Sequence, residues 1–288
     1  MSLHTIIPGT LFAATGWLRA DARSVSWIPP GLPGFLPVSA YALRDGAEWM
    51  VVDTGLPVHW PAIEAALAQT LAGTTRRRMI NTRREQDCMA NLRALVAAFG
   101  ITEVPYVGVL NPLDLAGMIE ADEAHARIEA MAPVRAIRIE VGQAVELGRL
   151  RLEPLRVQLR LLATNWFYEH TTRTLFTSES FGFLTRAAPG EALVRAPNEA
   201  PIAAADIARM LSAKFDWLIG VDPAPILADL DAIFAARRVD RLCPCYGCVI
   251  EGAAAVAQAH ARMREAIAML AARRKPPIDL PLFAKETA

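Results

Sequence analysis

The side chains with the greatest chemical capacity here are four thiols. Cys88 stands alone, and three more lie in the run Cys243-Pro244-Cys245-Tyr246-Gly247-Cys248. Four thiolates are the ligand set of a 4Fe–4S or 2Fe–2S cluster, or of a structural four-cysteine zinc. The Cys-x-Cys-x-x-Cys spacing alone is only moderately specific. The same residues also serve as small buried hydrophobes without any metal, or as a dithiol–disulfide pair. No Ser-His-Asp nucleophile elbow and no phosphate-binding glycine loop accompanies them. The histidines His4, His59, His125, His170 and His260 all lie outside the cysteine segments, and His125 and His260 fall on polar helix faces that suit the surface.

The chain's 30 basic and 30 acidic side chains cancel, which excludes a dedicated nucleic-acid binder, because neutralising phosphates needs a basic surplus. With 53% hydrophobic residues in 288, it can bury a substantial core. One large domain over 1–275 and a loose Pro/Lys-rich tail over 276–288 are expected. The amino terminus lacks a basic region followed by an apolar run, and no uninterrupted apolar stretch reaches membrane length. The expected compartment is therefore the cytoplasm, with no membrane partner. Thiols there stay reduced and read as metal ligands or redox groups rather than structural disulfides.

These thiols need a scaffold, and the periodicities outline one. Strands are expected at 38–43 and 49–53, around the Asp45-Gly46 turn. Further strands read at 79–81, 104–110, 134–139, 149–153, 157–162, 174–177 and 241–243, the last just before the cysteine run. Helices are expected at 61–72, 86–99, 113–130, 203–218, 224–237 and 253–273. In the second of these, Met89, Leu92, Leu95, Val96 and Phe99 share a face and Gly100 ends it. Strands followed by helices, twice over, suggest two packed sheets with helices outside.

Particular segments carry a family resemblance. Val51-Val52-Asp53-Thr54-Gly55 resembles the strand–Asp-Thr-Gly turn of the metallo-β-lactamase fold. The loop Asn81-Thr82-Arg83-Arg84-Glu85-Gln86-Asp87-Cys88, with Asn91-Leu92, resembles the Thr-His-x-Glu-x-Asp-His…Asn-Leu loop of flavodiiron proteins and their oxygen-binding di-iron relatives. Leu159-Arg160, then Trp166-Phe167-Tyr168, then Leu175 to Gly182 is similar to a third family stretch. Leu242 to Gly247 is similar to its Ile-x-Pro-x-His-Gly loop. Together they span most of the chain, and no flavodoxin-like domain is expected after them. The resemblance implies an α+β fold, an αββα sandwich of two mixed sheets with helices on the outer faces.

The resemblance also implies a site, and the departures reshape it. Arg83, Cys88, Arg160 and Tyr246 stand at family histidine positions, and Glu179 at the bridging aspartate. Of the usual ligands only Glu85 and Asp87 remain. Two arginines would repel a pair of cations, so oxygen or nitric oxide reduction and zinc hydrolysis are not expected. In this fold the loops bearing Cys88 and the late cysteine run meet, which brings the four thiols together. The leading expectation is an iron–sulfur cluster on Cys88, Cys243, Cys245 and Cys248, 4Fe–4S over 2Fe–2S, with zinc as the alternative. It would serve electron transfer, or a redox, oxygen or nitric-oxide response, alongside a redox partner protein. Arg83, Glu85, Asp87, Arg160, Glu179 and Tyr246 would line the pocket, with the arginines either stabilising cluster charge or pairing with the carboxylates. A non-catalytic binding protein with a degenerate pocket is the second expectation, and a thiol–disulfide enzyme the third. The relatives' dimers imply a homodimer. Asp53 is expected to hold loops by hydrogen bonds, Arg76 to Arg78 to form a solvated edge, and Trp166, Phe167 and Tyr168 to pack as core.

Overall fold

The computed structural model describes residues 2–274 apart from 22–24, 26, 30, 117–132, 197 and 201. The expected tail, His125 and most of the helix anticipated at 113–130 lie outside the described residues.

The first sheet runs in sequence order: β1 (Ser2–Ile7), β2 (Leu11–Arg19), β3 (Phe35–Asp45), β4 (Glu48–Val52), β5 (Arg76–Ile80), β6 (Glu103–Val107) and β7 (Arg135–Ile139). Its first four strands form an antiparallel meander, and from β4 onward neighbours are parallel. Parallel pairing needs crossovers. α1 (Trp60–Ala68) makes the first, and α2 (Gln86–Met89) with α3 (Leu92–Phe99) the second. α4 (Pro112–Ala116) follows β6. The second sheet contains β8 (Val145–Leu147), β9 (Leu150–Arg156), β10 (Asn165–Glu169), β11 (Thr174–Ser178), β12 (Arg241–Pro244) and β13 (Ile250–Glu251). Its order is β13-β12-β11-β10-β9-β8, with β11 and β12 parallel. Three helices complete the chain: α5 (Ala204–Lys214), α6 (Ala224–Ala236) and α7 (Ala253–Ala271).

Strand alternation sorts the side chains into layers. Tyr41, Leu43, Met50 and Val52 meet Leu152, Phe167 and Phe176 between the sheets. Their neighbours Ala42, Trp49 and Val51 turn outward onto Ile63, Leu67, Leu92 and Leu95 of α1 and α3. Across the molecule, Trp166, Leu175 and Leu242 face Ile207, Met263 and Ile267 of α5 and α7. The result is the expected αββα sandwich of two mixed sheets.

Three local expectations change. The helix expected at 86–99 breaks at Ala90-Asn91, because the Asn91 amide donates to the carbonyls of Thr54 and Gly55 at 3.0 and 3.1 Å. Segment 157–162 is not a strand: the Gln158 N–H donates to the Asp229 carboxylate at 2.8 Å instead of joining a ladder. Arg76 to Arg78 form a solvated edge only at Arg76, which is exposed. Arg78 is buried and donates to Glu48 and to the Glu146 carbonyl. Arg76 pairs with Glu103, and Arg77 donates to the Phe99 carbonyl at the end of α3. On β5 the three arginines tie together the elements on either side of them.

Asn91→Ala should lower stability by about 1–3 kcal/mol, since it strands two buried carbonyls. Urea unfolding checks this as a lower midpoint at unchanged slope.

Candidate functional site

Parallel strands deliver their carboxyl ends to one edge, and the site forms there. Asp53 follows β4, and Thr82 and Arg83 follow β5. On the second sheet, β11 ends at Ser178 and β12 at Pro244, which brings Glu179 beside Cys245. Backbone bonds lock the loops together: Cys245 N–H to the Ser178 carbonyl at 2.9 Å, Asn165 N–H to the Thr82 carbonyl at 2.8 Å, and Ser39 N–H to the Cys245 carbonyl at 2.8 Å. Asp53 (φ 60°) and Ser178 (φ 53°) adopt left-handed backbone at these strand ends, a conformation uncommon outside glycine.

Arg83 occupies the centre and is fully buried. Its Nη2 donates to Asp87. Its Nη1 donates to Glu179 Oε2 at 2.8 Å and lies 3.1 Å from Ser178 Oγ and 3.2 Å from Cys245 Sγ. Its Nε faces Glu85 at 3.5 Å, and Lys214 of α5 pairs with the same Glu85 oxygen. The Tyr246 ring lies 5.8 Å from the guanidinium carbon. Trp27 stacks on that ring at 4.2 Å and 19°. Burial alone would pull the Arg83 pKa down, but the surrounding Asp87, Cys245, Cys88 and Glu179 outweigh it and hold the group well above its ordinary value. Arg83 is a permanent buried cation, forked between carboxylates as a planar guanidinium allows.

Of the expected pocket residues, Arg83, Glu85, Asp87, Glu179 and Tyr246 come together. Arg160 does not. Val157 and Leu159 are buried, so the alternating Gln158 and Arg160 turn outward, and Arg160 lines a shallow surface hollow with Leu161, Trp217 and Ile226. Its family-equivalent position is thus not a pocket position.

The thiols divide as well. Cys88, Cys245 and Asp87 place their donor atoms within 4.8 Å of one another. Cys243 does not join them, because β12 alternation turns Leu242 toward the helices and Cys243 into the layer between the sheets with Phe176 and Tyr41. Cys248 lies beyond the left-handed Gly247 (φ 93°), where its N–H reaches the Leu184 carbonyl and its thiol lies beside Arg186. Burial pushes the thiols up, Cys245 to about 11 and Cys248 to about 12. Convergence of all four thiols is not shown. Two thiols and one carboxylate converge instead, and a fixed guanidinium already contacts Cys245 and Asp87.

Several site residues were not singled out by the sequence pattern. Lys214, Ser178, Thr82 and Trp27 all belong to the constellation; Thr82 and Ser178 lie within the resembling segments, and Lys214 is one of only three lysines in the chain. Asp53 accepts from the Thr82 N–H at 2.7 Å and from its hydroxyl, while burial pushes the carboxyl up to about 7. The hollow beside the cluster, lined by Glu179, Gly182, Phe183, Met210, Lys214 and Tyr246, measures about 10 Å³, room for about one water. A Cβ at Gly182 would meet the Tyr246 carbonyl at 2.5 Å, so the wall is tight there.

No family model matches this chain, and no curated protein matches it. Solved structures do. Rubredoxin oxygen:oxidoreductase from the anaerobe Desulfovibrio gigas superposes with a TM-score of 0.64 at 15% identity, over 92% of this chain and 61% of that one. A diflavin flavoprotein fragment from Nostoc sp. gives 0.64 at 16%, over 93% and 98%. A metallo-β-lactamase from Pontibacter korlensis gives 0.52 at 11%, over 91% and 98%. The fold is that of the metallo-β-lactamases, in the form of the flavodiiron core. The chain spans about three fifths of the Desulfovibrio protein.

Arg83→Ala should cost about 3–5 kcal/mol, because it leaves buried carboxylates without their cation. Arg83→Lys should recover only part of this, since an ammonium cannot fork between Asp87 and Glu179. Chemical denaturation of the three proteins checks the order. Asp53 holds its proton more tightly folded than unfolded. Its stabilising contribution is therefore full below about pH 4 and fades as pH rises through 7. The stability of the native chain minus that of Asp53→Asn should fall across this window, by up to about 4 kcal/mol, and level off above it. Urea midpoints measured at several pH values check the sign.

Proposed function

We propose that this chain is a non-catalytic binding module on the flavodiiron-core fold, in which Arg83 stands where the fold's metal ions would sit. The observation that carries this is the guanidinium fork to Asp87 and Glu179, with Cys245 as a further acceptor, all buried. A metal entering between these donors would have to displace a cation that cannot be deprotonated and would leave it buried without partners. The adjoining hollow has room for about one water and none for a substrate. Oxygen reduction, named for the Desulfovibrio protein, is not carried over to this chain, nor is the hydrolysis implied by lactamase relatives. Around the closed site, the loops after β4 and β6 and before β10 carry the exposed apolar side chains Val58, Val109, Leu110, Leu161 and Leu162. They supply an apolar contact surface.

An iron–sulfur cluster, 4Fe–4S or 2Fe–2S, is the competing proposal. It would require Cys243 and Cys248 to leave their separate packing and join Cys88 and Cys245. The Asp87–Cys88–Cys245 group favours a smaller second option, a single zinc on two thiolates and a carboxylate. Anaerobic purification followed by metal and sulfide analysis separates these outcomes. A colourless protein with iron, sulfide and zinc far below stoichiometric, and a melting temperature indifferent to chelator, is expected. Brown protein with roughly four irons and four sulfides per chain, or zinc that is lost in Cys88→Ser and Cys245→Ser, would overturn the proposal.

A further inference from the structure

The Cys88–Cys245 pair has a use that no metal is needed to explain. We infer that Cys88 and Cys245 are a modification site, forming a reversible disulfide across the two sheets in response to a small hydroperoxide. The inference rests on the metal-free state proposed above, because free thiols are its reactants.

The two sulfurs sit in one buried group with the Asp87 carboxylate, all within 4.8 Å. Cys88 Sγ also lies 3.5 Å from the Thr82 hydroxyl. The other thiols are placed elsewhere, Cys243 between the sheets and Cys248 beside Arg186. Cys88 belongs to α2, attached to the first sheet, and Cys245 follows β12 of the second.

The environment assigns each sulfur a role. Cys245 Sγ donates toward Asp87 Oδ2 at 3.4 Å and is approached by Arg83 Nη1 at 3.2 Å. Burial favours the protonated Cys245 thiol, and the adjacent Arg83 opposes this only in part. Attack of that sulfur on one peroxide oxygen forms the S–O bond and breaks the O–O bond. The departing hydroxide takes the Cys245 thiol proton and leaves as water, and Cys245 becomes a sulfenic acid. Cys88 then attacks the Cys245 sulfur. The S–S bond forms, the S–O bond breaks, and the leaving hydroxide carries off the Cys88 proton as a second water. In sum, one peroxide and two thiols give one disulfide and two waters, and two equivalents of an external thiol reverse the oxidation by exchange.

Burial sets the oxidant class. Both sulfurs are buried, and the one-water hollow at Glu179 and Tyr246 is lined by neither cysteine. A reagent therefore reaches them only when the surrounding loops open, which admits hydrogen peroxide more readily than the bulkier glutathione disulfide.

The test uses the full chain, reduced and assayed for metal. Hydrogen peroxide should remove two hydrogens in intact mass, leave two of the four thiols alkylatable in denaturant, and yield a Cys88–Cys245 cross-linked peptide that dithiothreitol abolishes. Glutathione disulfide should act at least about tenfold more slowly, as burial predicts. Cys88→Ser should accumulate a dimedone-reactive sulfenic acid at Cys245, and Cys245→Ser should form neither product. Cys243→Ser and Cys248→Ser should still cross-link. Metal on the reduced sample would overturn the metal-free proposal and this inference with it. A metal-free sample that shows no cross-link, or one that pairs through Cys243 or Cys248, would overturn this inference alone.

Discussion

Everything around the site is organised by one buried positive charge. A guanidinium removed from water is tolerable only when its donors are met and its charge is opposed nearby. Arg83 satisfies both conditions by drawing partners from two sheets. Asp87 comes from the loop it shares, while Glu179 and Cys245 come from the ends of β11 and β12. The left-handed turns at Asp53 and Ser178, and the backbone bonds between Thr82, Asn165, Ser178 and Cys245, are what hold those partners in reach. The same charge explains why two carboxylates can remain buried where a cation would otherwise be sought. Burial cost, hydrogen bonding and fold geometry are settled together at this one residue.

The elements most legible from sequence were those with strong local periodicity. The strand ending in Val51-Val52-Asp53-Thr54-Gly55, the helix at 253–271 and the late short strand all stand where their patterns put them, and the αββα layering follows from their order. Less legible were features set by distant partners. Asn91 breaks a helix because it bonds Thr54 and Gly55, residues far away in sequence. Strand β10 is buried along its whole length, so it shows no alternation to read.

The site divides in the same way. The loop that contains Arg83, Glu85, Asp87 and Cys88 forms a unit because its members are close in sequence and share one turn into α2. The cysteine run misleads for a physical reason. Spacing along a chain says nothing about which side of a strand each residue takes, and the end of β12 sends Cys243, Cys245 and Cys248 into three different surroundings. Arg160 is a case where correspondence to a family position and the local inside–outside pattern disagree, and the local pattern prevailed. Lys214, from a helix of the second half, could be recognised as part of the site only once α5 was folded against it.

The ion pair between Lys214 and Glu85 has a consequence for how the molecule comes apart. Each sheet carries its own helical layer, and the two share the apolar layer between them. Their charges are not separable. The first half owns Arg83, Glu85 and Asp87, and the second owns Glu179 and Lys214. Prising the halves apart would leave Glu85 and Asp87 sharing one guanidinium in the first half and would separate Glu179 and Lys214 from their partners in the second. The shared electrostatics therefore couple two modules of a layered fold into a single cooperative transition.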